Sequence, residues 1–600
     1  MAQRLFIPKL GHTMTEGIIA KWFKQSGDCV SAGDVLYELE YDKATETIEA
    51  EKAGELKILI NEGETAPVGE TVGVILEAGD DLEKVLAQKV RRAYESRTQV
   101  NIPTAAYSMA HAAAIGETKA NGREKEKTDA YVANKEEKFD TDLLVIGGGP
   151  GGYVAAIRAA QQGLKVTLVE KDKLGGTCLN KGCIPTKALI RSAEVFNTCR
   201  ESADYGVITN AVTVDIGAVF NRKENVVSGL INGVSTLLKA RGIQVVKGTA
   251  SFETANSVLI KNETGSRRIS ARNVIIASGS IPSMPPIAGI DGINVLTSNE
   301  ALDIKALPDS MVIIGGGVIG MELGCAYAAL GSKVTVIEAM DNILSVLDNE
   351  LGSALLKYIG ESIKIVTGRK VISIADIDGA KKVTCTYSNH EETYLADAVL
   401  ITVGRKADIG SLALDKAGIR VDKGYIEVDE NFMTNVPGIY CIGDANGKKM
   451  LAHAASAQGI DAVDIITGRK KENDNRHNVI PSCVYTIPEI GSVGKSEEEL
   501  RAENVDYKVC KFNLRANGRA MVMGDTRGFV KILADKTTDE ILGIHIIGGN
   551  ATELIGECAL AIRMECTLEE LADTIHAHPT VSESIMEAAE AGIIGAIHSL

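Results

Sequence analysis

Along the first 80 residues, short apolar runs alternate with polar positions and are broken by Gly11, Gly17, Gly27, Gly33, Gly54, Gly63, Gly69 and Gly73. A period of two bounded by turn residues predicts strands, so this segment reads as a small all-β module. Within it, "VLYELE" and "TETIEA" have the pattern of a hairpin with Lys43 at its tip. From 81 to 138 the alternation stops. "LEKVLAQKVRRAYESR" is compatible with a short helix, followed by an Ala-rich stretch and the charged run "NGREKEKTDAYVANKEEK". So few core residues predict a solvated linker of about 58 residues, with a root-mean-square span of roughly 40–45 Å if flexible. At Phe139 an α/β pattern begins and continues to Leu600.

That α/β region repeats itself. "DLLVIGGGPGGYVAAIRAAQQGLKVTLVEK" begins at Asp142 and "SMVIIGGGVIGMELGCAYAALGSKVTVIEA" at Ser310. Gly147, Gly149 and Gly152 in the first match Gly315, Gly317 and Gly320 in the second, and Glu170 matches Glu338, always 168 residues apart. Each GxGxxG follows a β-branched strand, opens a helical pattern, and is answered 18 residues after its last glycine by the glutamate ending the next strand. That is the βαβ context of a dinucleotide-binding fold. The glycines allow a tight turn and close approach to a pyrophosphate, the helix N-terminus faces that charge, and the acid takes an adenosine ribose. Glu338 would repel a 2′-phosphate and no arginine follows it in "VIEAMDN", so the second site is expected to prefer NAD to NADP.

Composition narrows the partners. A net charge of −16 argues against nucleic acid, whose phosphates call for a basic surface. No apolar run approaches a membrane span, and "MAQRLFIPKL" has neither the apolar core nor the cleavage site of a signal peptide. Eleven cysteines, an odd number at low density, suit a reducing, cytoplasmic compartment where a disulfide is redox-active rather than structural. No cluster has metal-ligand spacing, so no metal is expected.

Cys178 and Cys183 stand out in "GGTCLNKGCIPTK". Five positions of regular helix turn through about 500°, so the two side chains would diverge unless the segment bends. Gly182 and Pro185 make a bend possible, and a bridge across so short a loop reads as a redox couple. Two buried free thiols are the bland alternative, and the default for scattered cysteines such as Cys199 and Cys385.

This stretch resembles the active-site disulfide of the flavin disulfide reductases. Nearly all of residues 139–600 is similar to the dihydrolipoamide dehydrogenase family, through "VIGGGPGGYVAA", "GGTCLNKGCIPTKALI", "IIASGS", "VIIGGGVIGMELG", "VGR", "YCIGDANGKKMLAHAA", "IPSCVYTIPEIGSVG" and "HAHPTVSE". The resemblance implies an FAD-binding domain (139–282), an NAD-binding domain (283–405), a central domain (406–475) and a C-terminal α+β dimerisation domain (476–600) in a homodimer. It implies that Cys178 meets substrate while Cys183 sits against the flavin as a charge-transfer thiolate. Lys187 would lie near the flavin paired with Glu322, Asp444 would bind the ribityl chain, and Ala250, Ser278, Gly279, Ser280 and Ala452 would line the FAD site. Val371 and Gly404 would line the NAD site. In "HAHPTVSES", which supplies His576, His578 and Glu583, His578 would be the base and Glu583 its partner, acting on the disulfide of the other subunit; His453 is expected to be structural or near the flavin. Taken alone, a His pair before Pro579 reads as surface or dimer packing. Two positions depart from the family pattern, Ala454 and Gln458, which stand where Lys and Glu are more frequent, and "VGRKADIG" is an unusual continuation after its arginine.

Residues 1–80 resemble a lipoyl domain, through "PKLGHTMTEG", "EYDKA" and Gly54, with Lys43 as the lipoate attachment site. A biotin carrier would have methionines beside the lysine, whereas here the neighbours are Asp42 and Ala44. The expectation is a flattened all-β lipoyl module joined to two Rossmann-like folds. Dihydrolipoyl groups would reduce the cysteine pair, with electrons passing through FAD to NAD+. Expected partners are the lipoyl acyltransferase and dehydrogenase components of a 2-oxo acid or acetoin dehydrogenase complex, or the glycine cleavage proteins. An NADPH-dependent disulfide or mercuric reductase and a non-catalytic lipoyl carrier are the rivals. Glu338 and the lack of a C-terminal cysteine pair oppose the first; the intact "CLNKGC" and "HAHPTVSE" oppose the second.

Overall fold

A computed structural model describes residues 3–7, 16–41, 44–50, 52–67, 70–76, 138–360, 362–469 and 476–599. Asp42, Lys43 and residues 77–137 lie outside the described residues, and with them the hairpin tip and nearly all of the stretch read as a linker. The chain divides into two units, 1–130 and 131–600.

The first unit holds two four-stranded antiparallel sheets. One runs Gln3–Phe6, Thr71–Leu76, Gly54–Ile58, Cys29–Val30; the other runs Ala44–Glu49, Val35–Tyr41, Glu16–Trp22, Thr65–Pro67. Leu5, Ile19, Leu39, Leu56 and Val72 fill the space between them. The expected hairpin is present, with Tyr41 opposite Ala44 closing the pair on either side of the lysine position.

In the second unit, the first glycine motif follows Thr141–Ile146, the centre of a parallel array with Val166–Glu170, Gln244–Lys247 and the end of Gly265–Ile276. An antiparallel ribbon of Thr249–Thr254 and Ser257–Asn262 extends the far end of that last strand. Ile439–Cys441, from the segment expected as a central domain, adds a further parallel strand to this first sheet. The second motif follows Ser310–Ile314 in a separate parallel sheet ordered Val295–Thr297, Ala398–Ile401, Ser310–Ile314, Lys333–Ile337, Ile363–Val366. Two short strands, Ser280–Pro282 and Arg405–Ala407, pair antiparallel where the chain enters and leaves this second fold. A five-stranded antiparallel sheet with helices Ala551–Arg563, Leu568–Ala572 and Glu583–Glu590 completes the chain.

The second dinucleotide fold is bolted to this last sheet by a buried charge cluster. Lys531 Nζ lies 2.9 and 3.0 Å from the two Asp348 oxygens and 2.6 Å from Glu497 Oε1, with Lys531 and Asp348 both about 1% exposed. Asp348 also caps helix Asn349–Ile359 by accepting from the Glu350 amide. Desolvation works against the Asp348 carboxylate, but the His545 ring and Lys531 outweigh it and hold its pKa below the ordinary value.

Candidate active site

The two glycine motifs are built alike down to single hydrogen bonds. Glu170 Oε2 accepts from the Gly148 amide at 2.6 Å and Oε1 from Asp172 at 2.8 Å; Glu338 Oε2 accepts from Gly316 at 2.6 Å and Oε1 from Met340 at 2.7 Å. The glutamates therefore brace the loops. A Cβ on Gly152 would stand 1.8 Å from Gly147 O, and one on Gly320 2.1 Å from Gly315 O, so each third glycine lets helix and loop touch. Gly147, Gly149, Gly315 and Gly317 line one cavity of about 1750 Å³; Gly152 and Gly320 pack behind it. The same cavity is lined by Glu170, Cys178, Cys183, Lys187, Ala250, Ser278, Gly279, Ser280, Glu322, Glu338, Val371, Gly404, Asp444 and Ala452.

The cysteine segment bends where Gly182 stands. Helix Gly176–Lys181 stops, and helix Cys183–Arg200 starts on its far side with Pro185 in its first turn. This brings the two sulfurs together, close enough for the thiols to hydrogen-bond to each other. That bond and burial push the Cys178 thiol up, while the same bond and the Lys187 charge bring Cys183 down to about 7 despite burial. Lys187 lies one helical turn beyond Cys183 on the same face. Its ammonium sits 2.9 and 2.7 Å from the oxygens of buried Glu322 in the second dinucleotide fold. Glu322 also accepts from the Tyr485 amide at 2.9 Å, and the Tyr485 ring lies 4.5 Å from the Lys187 ammonium.

The cavity fits two dinucleotides. Helices Pro150–Gln161, Val318–Leu330 and Ala452–Ile466 open with no side-chain cap, and Gly149, Gly317 and Ala452 at these N-termini line it. Unmet amides there suit phosphate. Among the described residues the buried Ser278 hydroxyl has no partner, a donor left over for a bound group. Asp444 accepts from Ser280 Oγ at 2.5 Å on one oxygen, and among the described residues the other is left for a ligand hydroxyl.

His578 is not on the cavity wall. Its side chain is 79% exposed, and Nδ1 lies 2.9 Å from Glu583 Oε1. Partial burial raises the Glu583 carboxyl, but the Thr580 amide and the His578 ring bring it below the ordinary value. An ionised carboxylate can only accept, so Nδ1 carries a proton, and in the neutral ring Nε2 then keeps its lone pair. His576 has an almost fully buried side chain, with Nε2 2.7 Å from Glu557 and Nδ1 2.8 Å from Thr574 O, so both ring nitrogens are engaged. His453 lines the cavity, with Nε2 2.8 Å from Pro481 O. Of the two departures, Ala454 is buried, and Gln458 clamps the Asp444 turn: its Oε1 accepts from the Gly443 amide at 2.8 Å and from Asn446 Nδ2 at 3.0 Å.

Sequence reasoning missed Arg405, Thr177 and Tyr485. Arg405 closes the "VGR" motif, in which the resemblance implies a role for Gly404 alone. The signal was the paired exits from the two sheets, Ser278–Gly279–Ser280 and Val403–Gly404–Arg405, each with a left-handed glycine (φ 71° and 108°).

Residues 141–459 match the model of the pyridine nucleotide-disulphide oxidoreductases, 480–589 that family's dimerisation domain, and 3–75 the "Biotin-requiring enzyme" model of biotin and lipoyl carriers. A dihydrolipoyl dehydrogenase of Bacillus subtilis is 43% identical over 475 residues, covering 76% of this chain and 99% of the relative. A mitochondrial dihydrolipoyl dehydrogenase of Arabidopsis thaliana is 41% identical over 467 residues, covering 76% and 92%. Among solved structures, LpdA of Mycobacterium tuberculosis matches with a TM-score of 0.70 at 29% identity, covering 75% of this chain and all of that one. The flavoprotein disulfide reductase RclA of Escherichia coli matches at 0.68 and 29%, covering 75% and 99%. The chain belongs to the pyridine nucleotide-disulphide oxidoreductase family. Within that family it is a member of the dihydrolipoyl dehydrogenase group, carrying a lipoyl domain of its own, and it uses FAD and NAD.

Proposed function

We propose that the chain oxidises protein-bound dihydrolipoyl groups at the Cys178–Cys183 couple and returns the electrons to NAD+. The observation that carries this reading is the bend at Gly182, which sets both thiols in the one cavity that also holds both glycine loops. Bound there, FAD supplies a two-electron store between the cysteines and the nicotinamide. His578 Nε2 takes the proton of one substrate thiol, with Glu583 stabilising the imidazolium. The substrate thiolate attacks Cys178 Sγ in the oxidised couple; the S–S bond breaks and Cys183 leaves as thiolate. The second substrate thiol then attacks the mixed disulfide, forming the lipoyl disulfide and releasing the Cys178 thiol. Lys187, neutralised in part by Glu322, favours the negative charge on Cys183 rather than Cys178.

His578 would serve the couple of the second subunit, in keeping with its position off the cavity wall and the match to a dimerisation domain. Lys43, between the paired ends of the hairpin, is the proposed lipoate site, so the chain would carry a substrate arm as well as the enzyme. The domain limits 1–80, 81–138, 139–282, 283–405, 406–475 and 476–600 are proposed as functional units. The partners are proposed to be the acyltransferase and dehydrogenase components of a 2-oxo acid or acetoin dehydrogenase complex, or the glycine cleavage proteins. Cysteine usage supports a cytoplasmic setting. Among the described residues no helix is long and apolar enough to cross a membrane.

The test is steady-state oxidation of dihydrolipoamide with NAD+ and with NADP+. NAD+ should give a kcat/KM at least about tenfold higher, since Glu338 faces the 2′ position. A preference for NADP+ would sink the assignment of Glu338, and no turnover of dihydrolipoamide with flavin bound would sink the reaction. Intact mass of protein from its native source should show one lipoyl group, lost in Lys43→Arg.

A further inference from the structure

The chain crosses between its two dinucleotide folds through a two-stranded neck, and one side chain ties that neck to the redox centre. Ser280–Pro282 leaves the first fold and pairs with Arg405–Ala407, which leaves the second. Among the described residues, Arg405 makes its hydrogen bonds to neutral oxygens: Nε to Ser280 Oγ at 2.7 Å, Nη2 to Ser280 O at 2.7 Å, and Nη2 to Thr177 Oγ1 at 3.4 Å. Ser280 Oγ in turn donates to Asp444 Oδ2 at 2.5 Å. Thr177 precedes Cys178 in the short cysteine helix. One guanidinium therefore spans the strand leaving each fold, the Asp444 turn and the first turn of the cysteine segment, and it lines the same cavity.

We propose that Arg405 is a positioning residue of the redox centre: its fork sets Asp444, through Ser280, in register with the cysteine helix, and its charge supports the thiolate of Cys183. The charge is free to do so because, among the described residues, no carboxylate holds it directly. The titratable and charged groups felt at Cys183 or Arg405 are Cys178, Lys187, Glu322 and Asp444. Of the two cations, Lys187 is matched in contact by Glu322, whereas Asp444 answers Arg405 only through the Ser280 hydroxyl. Burial pulls the Arg405 proton affinity down, and Asp444 and Cys183 oppose that pull, which places the guanidinium in the field of both. Arginine is needed for the geometry, since a lysine carries the charge but has no planar fork to bridge three oxygens.

This inference rests on the dihydrolipoyl reading, but its test uses no substrate. The flavin-loaded enzyme is reduced, and iodoacetamide alkylation of Cys183 is followed against pH by mass spectrometry, alongside FAD loss on dilution. In Arg405→Met the alkylation midpoint of Cys183 should move up by about one pH unit, as expected when a nearby cation is removed, and FAD should dissociate at least about tenfold faster. Arg405→Lys should keep the midpoint near that of the wild type yet still lose FAD faster. Ser280→Ala should likewise loosen FAD with the midpoint unmoved, and it keeps the test open if the methionine variant does not fold. A wild-type midpoint in Arg405→Met would overturn the role of the charge. FAD retention unchanged in both Arg405→Lys and Ser280→Ala would overturn the role of the fork. Either failure is distinct from failure to oxidise dihydrolipoamide, which concerns the reaction and not this residue.

Discussion

The two dinucleotide folds share a loop, a helix and a braced glutamate, yet only the first leads into a pair of adjacent cysteines. After Glu170 the chain turns directly into the cysteine segment; after Glu338 it runs into helix Asn349–Ile359, whose cap belongs to the buried Lys531 cluster. The second fold instead lends the first a single acid, Glu322, from the helix that its own glycine loop opens. At the matching position of the first helix stands Val154, with no charge to give. A duplicated binding unit has thus been divided into a reactive half and a supporting half by the segment that each glutamate leads into, with the loops themselves unchanged.

The comparison breaks most completely at the third glycines. Gly152→Ala places a methyl group against Gly147 O, so the recovered protein should be colourless, whereas Gly320→Ala should stay yellow and lose its response to NAD+. Absorbance of the purified variants and NAD+ titration read the two outcomes; identical behaviour would show that the halves are not separate sites.

Next in size is His578→Gln, which leaves both halves intact. Dihydrolipoamide oxidation should fall by roughly 10²–10⁴-fold, as general-base loss does, while NADH oxidation by an artificial acceptor persists. Equal loss of both rates would make His578 structural. In the supporting half, Lys531→Met leaves Asp348 buried without its cation and should cost about 3–5 kcal/mol in denaturant unfolding. A change under about 1 kcal/mol would mean that water reaches the cluster.

The smallest effect concerns the reactive half alone. The pKa of Cys183 is brought down to about 7, so its thiolate is present above that pH and lost as pH falls through it. The long-wavelength absorbance of the reduced protein should follow that curve, with Cys183→Ser lacking it. A midpoint near the ordinary thiol value would remove Lys187 and Cys178 as the cause.

The sequence carried the repeat plainly because loop, helix and acid recur at one spacing, and it carried the cysteine bend because Gly182 and Pro185 have few other uses between two helices. It did not carry the place of Ile439–Cys441, a three-residue strand with too little pattern to show that its partner lies about 165 positions earlier. Arg405 was hidden for a related reason. The strands leaving the two sheets are not 168 residues apart, because the first copy holds the cysteine helices and the long helix Ile216–Ala240. The base was not legible from geometry either. Three histidines near the C-terminus, His576, His578 and His598, each face a glutamate, and only the motif separates His578 from the others.

The exposed His578 has a consequence for inheritance. If each site joins a cysteine pair from one subunit to a base from the other, then a Cys178→Ser chain and a His578→Gln chain are each inert as homodimers but cooperate when mixed. Their mixed dimer has one site bearing both defects and one bearing neither. Random pairing of equal amounts makes about half the dimers mixed, so roughly a quarter of wild-type activity should return. Two damaged alleles in one cell would then support growth that neither supports alone.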